Sequence, residues 1–265
     1  MTNNFWSEIG VQQEERERLW ELYHQNSKIS RWDKGLPLAE LQERTLDLII
    51  SHRYEEFPKT KLPADLTTLH CSLDEAMKGR ITARDMRPVP LSLTDLSTLL
   101  YYAYGVTRTN EENDFPHPFR TVPSAGGLFP LEIYFHHNYV EGLDAGLYHY
   151  NPMQQEVSHL LRGDQSRRIQ ELLIQPELAI NSSVLIFITA FFERNSFKYG
   201  ERGYRFAHLE AGHVAQNINL TARGLGLGTV NIGGFLDGKT DEFLRLDGVT
   251  CSTLYLAAIG KSVPV

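Results

Sequence analysis

Lys198 and Tyr199 are adjacent in a stretch crowded with Phe191, Phe192, Phe197, Tyr204 and Phe206. A lysine set among apolar side chains gives up its proton more readily and can act as a base, and a neighbouring phenol can share or relay that proton. The plainer alternative is a solvated loop lysine. Arg80, Thr82 and Arg84 place two guanidiniums and a hydroxyl within five residues, with Arg87 close behind. Forked, permanently charged donors beside a neutral one suit a phosphate, although a solvated surface explains them as well. Pro123, Ser124, Ala125, Gly126 and Gly127 lie in a proline-bounded turn where the missing Cβ atoms would let backbone N–H groups approach a flat ligand or an anion. A tight turn without a ligand is the competing reading. Gly233 and Gly234 form a second such pair after a strand pattern.

Other chemistry-bearing patterns lead nowhere. Gly224, Gly226 and Gly228 mimic a dinucleotide fingerprint, but that fingerprint requires a strand before it and a helix after. Here the order is reversed, so the run reads as a helix end and turn. His208 and His213 are five apart, on different faces of a helix, and His136 and His137 point to opposite faces of a strand. No metal site is expected.

These residues need elements to hold them. Two amphipathic patterns, 13–25 and 38–52, suggest a helical lead-in over residues 1–70, with connectors at 26–37 and 57–63. Ser72 with Glu75, and Ser92 with Asp95, have the spacing of capping boxes opening helices that Gly79 and Gly105 end. Residues 106–124 read as a loop. Strands are expected at 131–138, 146–150, 184–192, 229–232 and 253–259, and helices at 164–175 and 240–246. The longest helix should run over 202–223, with Tyr204, Ala207, His208, Ala211, Val214, Ala215, Ile218 and Ala222 facing inward. Helices and strands mix without a strict βαβ rhythm, so the class is α+β, or α/β with a mixed sheet.

Composition bounds the rest. Apolar residues make up 42% of the 265 and charged residues 22%, which excludes a wholly disordered chain. The net charge of −7 argues against a nucleic-acid binder that works by neutralising phosphates. Cys71 and Cys251 are neither a disulfide framework nor a zinc site, and they suit a reducing cytoplasm. No secretory signal is legible, and the longest apolar run, 184–192, is too short to cross a bilayer.

Taken in order, SLDEAMKGRITARDM, PLSLTDLSTLLYYAYG and RTVPSAGGLFPLEIYF resemble the FMN-dependent nitroreductase superfamily. GLYHYNP, FKYGERGYRFAHLEAGHVAQNINLTARGLGLGTVNIGGF and LYLAAIG are similar to its SagB-type branch, which includes the thiazole/oxazole (azoline) dehydrogenases. The likeness covers about residues 69–260. It implies a nitroreductase-like α+β fold in residues 71–265: a mixed, mostly antiparallel central sheet flanked by helices, one long central helix, and FMN at a homodimer interface. Arg80, Thr82 and Arg84 then match a phosphate motif, with threonine in place of serine, and Lys261 is the late basic residue that joins the phosphate. Residues 123–127 would lie along the isoalloxazine ring, with Gly233 and Gly234 on its other side. Lys198 and Tyr199 match the catalytic pair of the azoline-oxidising members. There Lys198, its charged form disfavoured by burial and the nearby cationic cluster, takes a proton, Tyr199 orients or relays, FMN N5 takes the hydride, and oxygen re-oxidises the flavin.

The first 70 residues look too short and too helical for the leader-binding winged-helix module of some azoline dehydrogenases, so peptide recognition would come from a cyclodehydratase partner. Two alternatives stay open. One is an NAD(P)H-dependent nitroreductase-like enzyme acting on a small molecule. The other is a non-catalytic flavin-binding scaffold of a cyclodehydratase complex.

Overall fold

A computed structural model describes residues 18–31, 35–46, 48, 51–110 and 117–263. Contacts divide the chain into two units, Met1–Lys34 and Gly35–Val265. The first carries helix α1 (Leu19–Asn26), closed by the Ser27 hydroxyl donating to the Tyr23 carbonyl at 2.6 Å. The second carries everything below. It begins with α2 (Leu38–Leu46); part of the amphipathic pattern expected over 38–52 falls on residues 47, 49 and 50, outside the described ones.

The second unit is a three-layer sandwich built around strands that are apolar on both faces. β8 (Val184–Phe191) is buried from Val184 to Ala190, with every one of those residues at 0% exposure. It therefore has to be covered from both sides, each full burial of a large apolar side chain contributing about 1.5–3 kcal/mol. One cover is α4 (Leu93–Tyr104) with α8 (Arg202–Gly224), packed on Ile133, Ile186, Ile188, Ala257 and Ile259. The other is α5 (Ser166–Gln170), α6 (Leu178–Asn181) and α9 (Asp237–Leu244), packed on Tyr134, Leu185, Phe187, Val230 and Leu256.

Among the described residues the sheet runs β1 (Lys59–Lys61), β7 (Glu156–Arg162), β6 (Gly146–Asn151), β5 (Leu131–His137), β8, β10 (Cys251–Ser262), with β2 (Met86–Arg87) and β9 (Gly228–Ile232) both on the far side of β10. All these pairs are antiparallel, and the parallel contacts are isolated bridges such as Thr82 with Thr229. Because β8 and β9 both run antiparallel to β10, they point the same way, with β9 ending at Ile232, level with Phe187 in the middle of β8. The N-terminus of β5 lies at the C-terminal end of β8, since Leu131 pairs with Ala190.

Both expected capping boxes form. Ser72 N–H donates to Glu75 at 2.9 Å ahead of α3 (Leu73–Lys78), and Asp95 N–H donates to Ser92 Oγ at 3.0 Å ahead of α4. The long helix also falls where its stripe predicts, but Tyr204 and His208 are exposed and Glu210 takes an inward place.

Three connectors are regular elements instead. Residues 59–61 add β1 to the sheet edge, and 106–124 contains a hairpin of β3 (Val106–Asn110) and β4 (His117–Arg120). Lys198 and Tyr199 end a helix, α7 (Glu193–Tyr199), where a loop was expected. The helix expected over 164–175 is confined to α5, and β7 had no counterpart in the sequence reading.

Candidate active site

Two features of position 126 favour glycine. Its φ of +63° lies in the left-handed region that L side chains rarely adopt. A Cβ built there would stand 2.6 Å from Tyr199 Oη and 2.9 Å from Lys198 Nζ. The turn over 123–127 and the end of α7, distant in sequence, therefore meet with an amine and a phenol against bare backbone. Lys198 and Tyr199 are half-buried, the Lys198 ammonium lies 5.3 Å from the Tyr199 ring centroid, and Phe206 stands edge-on to that ring at 5.0 Å.

A buried network braces the turn from beneath. Phe129 N–H donates to Ser124 Oγ at 2.9 Å, and the Ser124 hydroxyl is hydrogen-bonded to Glu210 of α8. Glu210 also accepts from Tyr104 Oη at 2.6 Å, and Tyr104 Oη in turn accepts the Leu131 N–H at 3.1 Å. The Arg120 guanidinium stacks over the rings of Tyr104, at 4.1 Å, and Phe129, at 4.9 Å. Burial pushes the Glu210 carboxyl up to about 7, against the opposing pull of the Ser124 and Tyr104 hydroxyls and Arg120. Phe129 itself sits at φ +46°, so the turn holds a bulky residue in a disfavoured conformation at the site's edge.

The cationic residues gather elsewhere. Ala83 N–H donates to the Thr229 carbonyl at 2.9 Å, laying segment 80–84 along the start of β9. Gly228 permits this, because a Cβ there would meet Ala83 Cβ at 2.6 Å. Thr229 Oγ1 donates to Asn219 of α8 at 2.8 Å and fixes the strand. Lys261 Nζ donates to the Gly226 carbonyl at 2.8 Å in the turn between α8 and β9, directly across the ladder from Arg87. Arg80, Thr82, Arg84 and Lys261 are all exposed, and no carboxylate of the described residues lies within ion-pair distance of Arg80, Arg84 or Lys261. Two guanidiniums, a hydroxyl and an ammonium without a carboxylate among them fit a phosphate group.

Gly233 and Gly234, both exposed, follow the opposite end of β9, beside Tyr255 and Ile174. The two clusters are not neighbours within one chain. Ile259 faces both Thr229 and Val184, whereas Leu131 faces Ala190, so the length of β8, ~20 Å, separates the cations from the 123–127 turn. The expected influence of the cationic cluster on Lys198 therefore does not arise within this chain.

Sequence reasoning missed Glu210, although its signal was present: it sits three residues after Ala207 and four before Val214, on the buried stripe. Arg223 was missed too. Its guanidinium occupies the space beside Gly79, 3.0 Å from where a Cβ would stand, next to Arg80. Among the described residues no cluster of histidine, cysteine, aspartate or glutamate could hold a metal, and no helix is long and apolar enough to cross a membrane.

Residues 77–261 match the sequence profile of the nitroreductase family. The chain belongs to the nitroreductase family. A protein of Methanocaldococcus jannaschii that is named a nitroreductase is 37% identical over 191 residues, 72% of this chain and 91% of its own. The trifolitoxin-processing protein of Rhizobium leguminosarum bv. trifolii is 28% identical over 78% of this chain, and the microcin B17-processing protein of Escherichia coli 30% over 53%. The chain spans 61% and 54% of the lengths of those two processing proteins. Two solved structures share the fold of this nitroreductase-family oxidoreductase. One, a nitroreductase-type protein from Anabaena variabilis, has a TM-score of 0.71 at 24% identity, covering 96% of this chain and 49% of that one. The other, the E. coli microcin synthetase complex with a truncated pro-microcin bound, scores 0.57 at 21% identity, covering 93% and 92%.

Proposed function

We propose that this oxidoreductase is an FMN-dependent azoline dehydrogenase that oxidises thiazoline or oxazoline rings of a peptide to thiazole or oxazole. The observation that carries the reading is the meeting of Lys198 Nζ and Tyr199 Oη at the Gly126 backbone. Aromatising an azoline removes a proton from one ring carbon and a hydride from its neighbour, so a base must face a hydride acceptor across the ring. FMN, when bound, supplies that acceptor. Arg80, Thr82, Arg84 and Lys261 hold its phosphate, and residues 123–127 with Gly233 and Gly234 flank its ring. Lys198 takes the proton at Nζ, while the Tyr199 hydroxyl orients the amine or relays the proton.

Because the cations and the 123–127 turn stand apart within one chain, the complete site needs a second copy, which brings the turn of one subunit to the cations of the other. Leu73, Met77 and Ile81, spaced by four and each more than half exposed, and Leu209 of α8 offer apolar surface for that homodimer. The names of the trifolitoxin- and microcin-processing relatives support a peptide substrate. The solved microcin synthetase supports a cyclodehydratase partner that forms the azoline. The two cysteines are free thiols, which suits the cytoplasm.

A second reading, an NAD(P)H-dependent reductase of a small molecule, is favoured by the higher identity to the M. jannaschii relative. Anaerobic mixing of the FMN-loaded protein with a thiazoline-containing peptide separates the two. Bleaching of the flavin band without pyridine nucleotide is the expected result. Bleaching by NAD(P)H alone transfers the assignment to the reductase.

A further inference from the structure

Helix α7 has only seven residues, too few to hold a helix by propensity, so contacts with its surroundings must fix where its last two side chains stand. Two such contacts are built into its first turn. Arg194, 6% exposed, donates from Nη2 to Glu132 Oε1 of β5 at 2.5 Å. Asn195 Nδ2 donates to the Gly203 carbonyl, in the first turn of α8, at 3.0 Å. Residues four apart stack on one helix face. Lys198 therefore lies one turn beyond Arg194, and Tyr199 one turn beyond Asn195.

Glu132, 1% exposed, is a junction. Besides Arg194 it accepts His149 Nε2 of β6 at 2.6 Å and the His52 backbone N–H at 3.0 Å, and the Arg194 guanidinium stacks on the Phe191 ring at 4.7 Å. Burial alone would raise the Glu132 carboxyl, yet Arg194 and His149 more than offset it and keep it ionised, well below the ordinary carboxylate range. Neither Glu132 nor Arg194 touches the 123–127 turn or the cationic cluster in any hydrogen bond or ion pair of the described residues.

We propose that Arg194, through its buried pair with Glu132, is a positioning residue that sets the height and rotation of α7 and so places Lys198 and Tyr199 against Gly126. The activity arm of its test rests on the azoline dehydrogenase reading; the labelling arm does not.

The test uses the FMN-loaded protein with Glu132 and Arg194 replaced together, E132L/R194M. Exchanging a whole buried ion pair for apolar groups is often neutral in stability, whereas removing one partner strands a buried charge. The double variant strands neither charge of the pair, but His149 Nε2 and the His52 N–H lose their acceptor, so it should melt below the parent while still folding and losing the anchor. Acetylation of Lys198 by an N-hydroxysuccinimide ester, read by peptide mass spectrometry against the exposed Lys78 of the same chain, should change by about fivefold or more. The kcat for a thiazoline peptide should fall by about 30-fold or more at nearly constant KM, as misplacement by about 1 Å does to a reacting group.

A purely structural pair would leave the Lys198-to-Lys78 labelling ratio unchanged in a folded variant, and that result overturns the proposal. Should the double variant not fold, Arg194→Lys keeps the charge but loses the planar guanidinium that lies over the Phe191 ring. It should shift the labelling ratio in the same direction, and parental labelling there overturns the proposal equally. If the parent leaves thiazoline peptides untouched, the proposed function fails while the labelling ratio still decides the positioning claim.

Discussion

Adding one methyl group at Gly126 separates the stability of the fold from the chemistry of the site. At φ +63° an alanine costs about 1–2 kcal/mol in backbone strain alone. For a domain of this size that lowers Tm by about 2–8 °C. The new Cβ would stand 2.6 Å from Tyr199 Oη, about 0.8 Å inside the 3.4 Å at which ordinary contact begins. Both displaced atoms are the tips of flexible side chains, so their movement adds little to the folding cost. They are also the atoms that the proposed chemistry uses, and a shift near 1 Å can cost about 10²-fold in rate.

Gly142→Ala is the matched control. That residue has φ +80° and nothing within 4 Å of its built Cβ, so it has the strain without the collision. Both variants should melt lower than the parent by similar amounts, and only Gly126→Ala should lose turnover, by about 100-fold. Melting curves and steady-state rates on a thiazoline peptide read the two effects. Equal turnover in the two variants would refute the placement of Lys198 and Tyr199 on the turn.

Other expectations follow from the same geometry. Replacing Arg80 and Arg84 with alanine should strip the flavin, and full FMN occupancy by absorbance after gel filtration would overturn the phosphate assignment. Gly228→Val should do the same less completely, by pushing Ala83 off β9, and its FMN dissociation constant should rise while that of Gly142→Ala does not.

Glu210 binds its proton more tightly folded, at about 7, than at its ordinary 4.5. It therefore makes the protein less stable as pH rises from about 4.5 to about 7, by about 3 kcal/mol across that window. Urea unfolding at pH 5 and pH 8 should show Glu210→Gln lacking that decline relative to the parent, and parallel pH dependences would reject the raised carboxyl.

Much of the scaffold was legible because its residues face one kind of surroundings. The alanine-rich stripe of α8, the doubly buried β8 and the Ser-x-x-Glu and Ser-x-x-Asp boxes each state their structure locally. What was hidden depended on partners distant in sequence. β1 is a three-residue strand with polar ends, defined only by pairing with β7. The β3–β4 hairpin is polar and carries prolines, so its composition reads as loop. α7 is too short to announce itself, and it forms where Arg194 meets a carboxylate 62 residues earlier.

The site divides in the same way. The glycines and the arginine pair are recognisable by type and spacing. Glu210 and Glu132, which hold their neighbours in place, are carboxylates inside apolar patterns whose purpose appears only when their partners are in view.

A single-turnover experiment decides whether Lys198 is the base. Parent and Lys198→Ala proteins, each loaded with FMN to the same occupancy, are mixed anaerobically with a thiazoline peptide while the flavin band and the peptide mass are followed. The parent should bleach as the peptide loses two mass units. The variant should stay yellow with its peptide unchanged over the same time. Bleaching at the parental rate in Lys198→Ala would remove Lys198 from the chemistry and with it the reason for placing this chain among the azoline dehydrogenases.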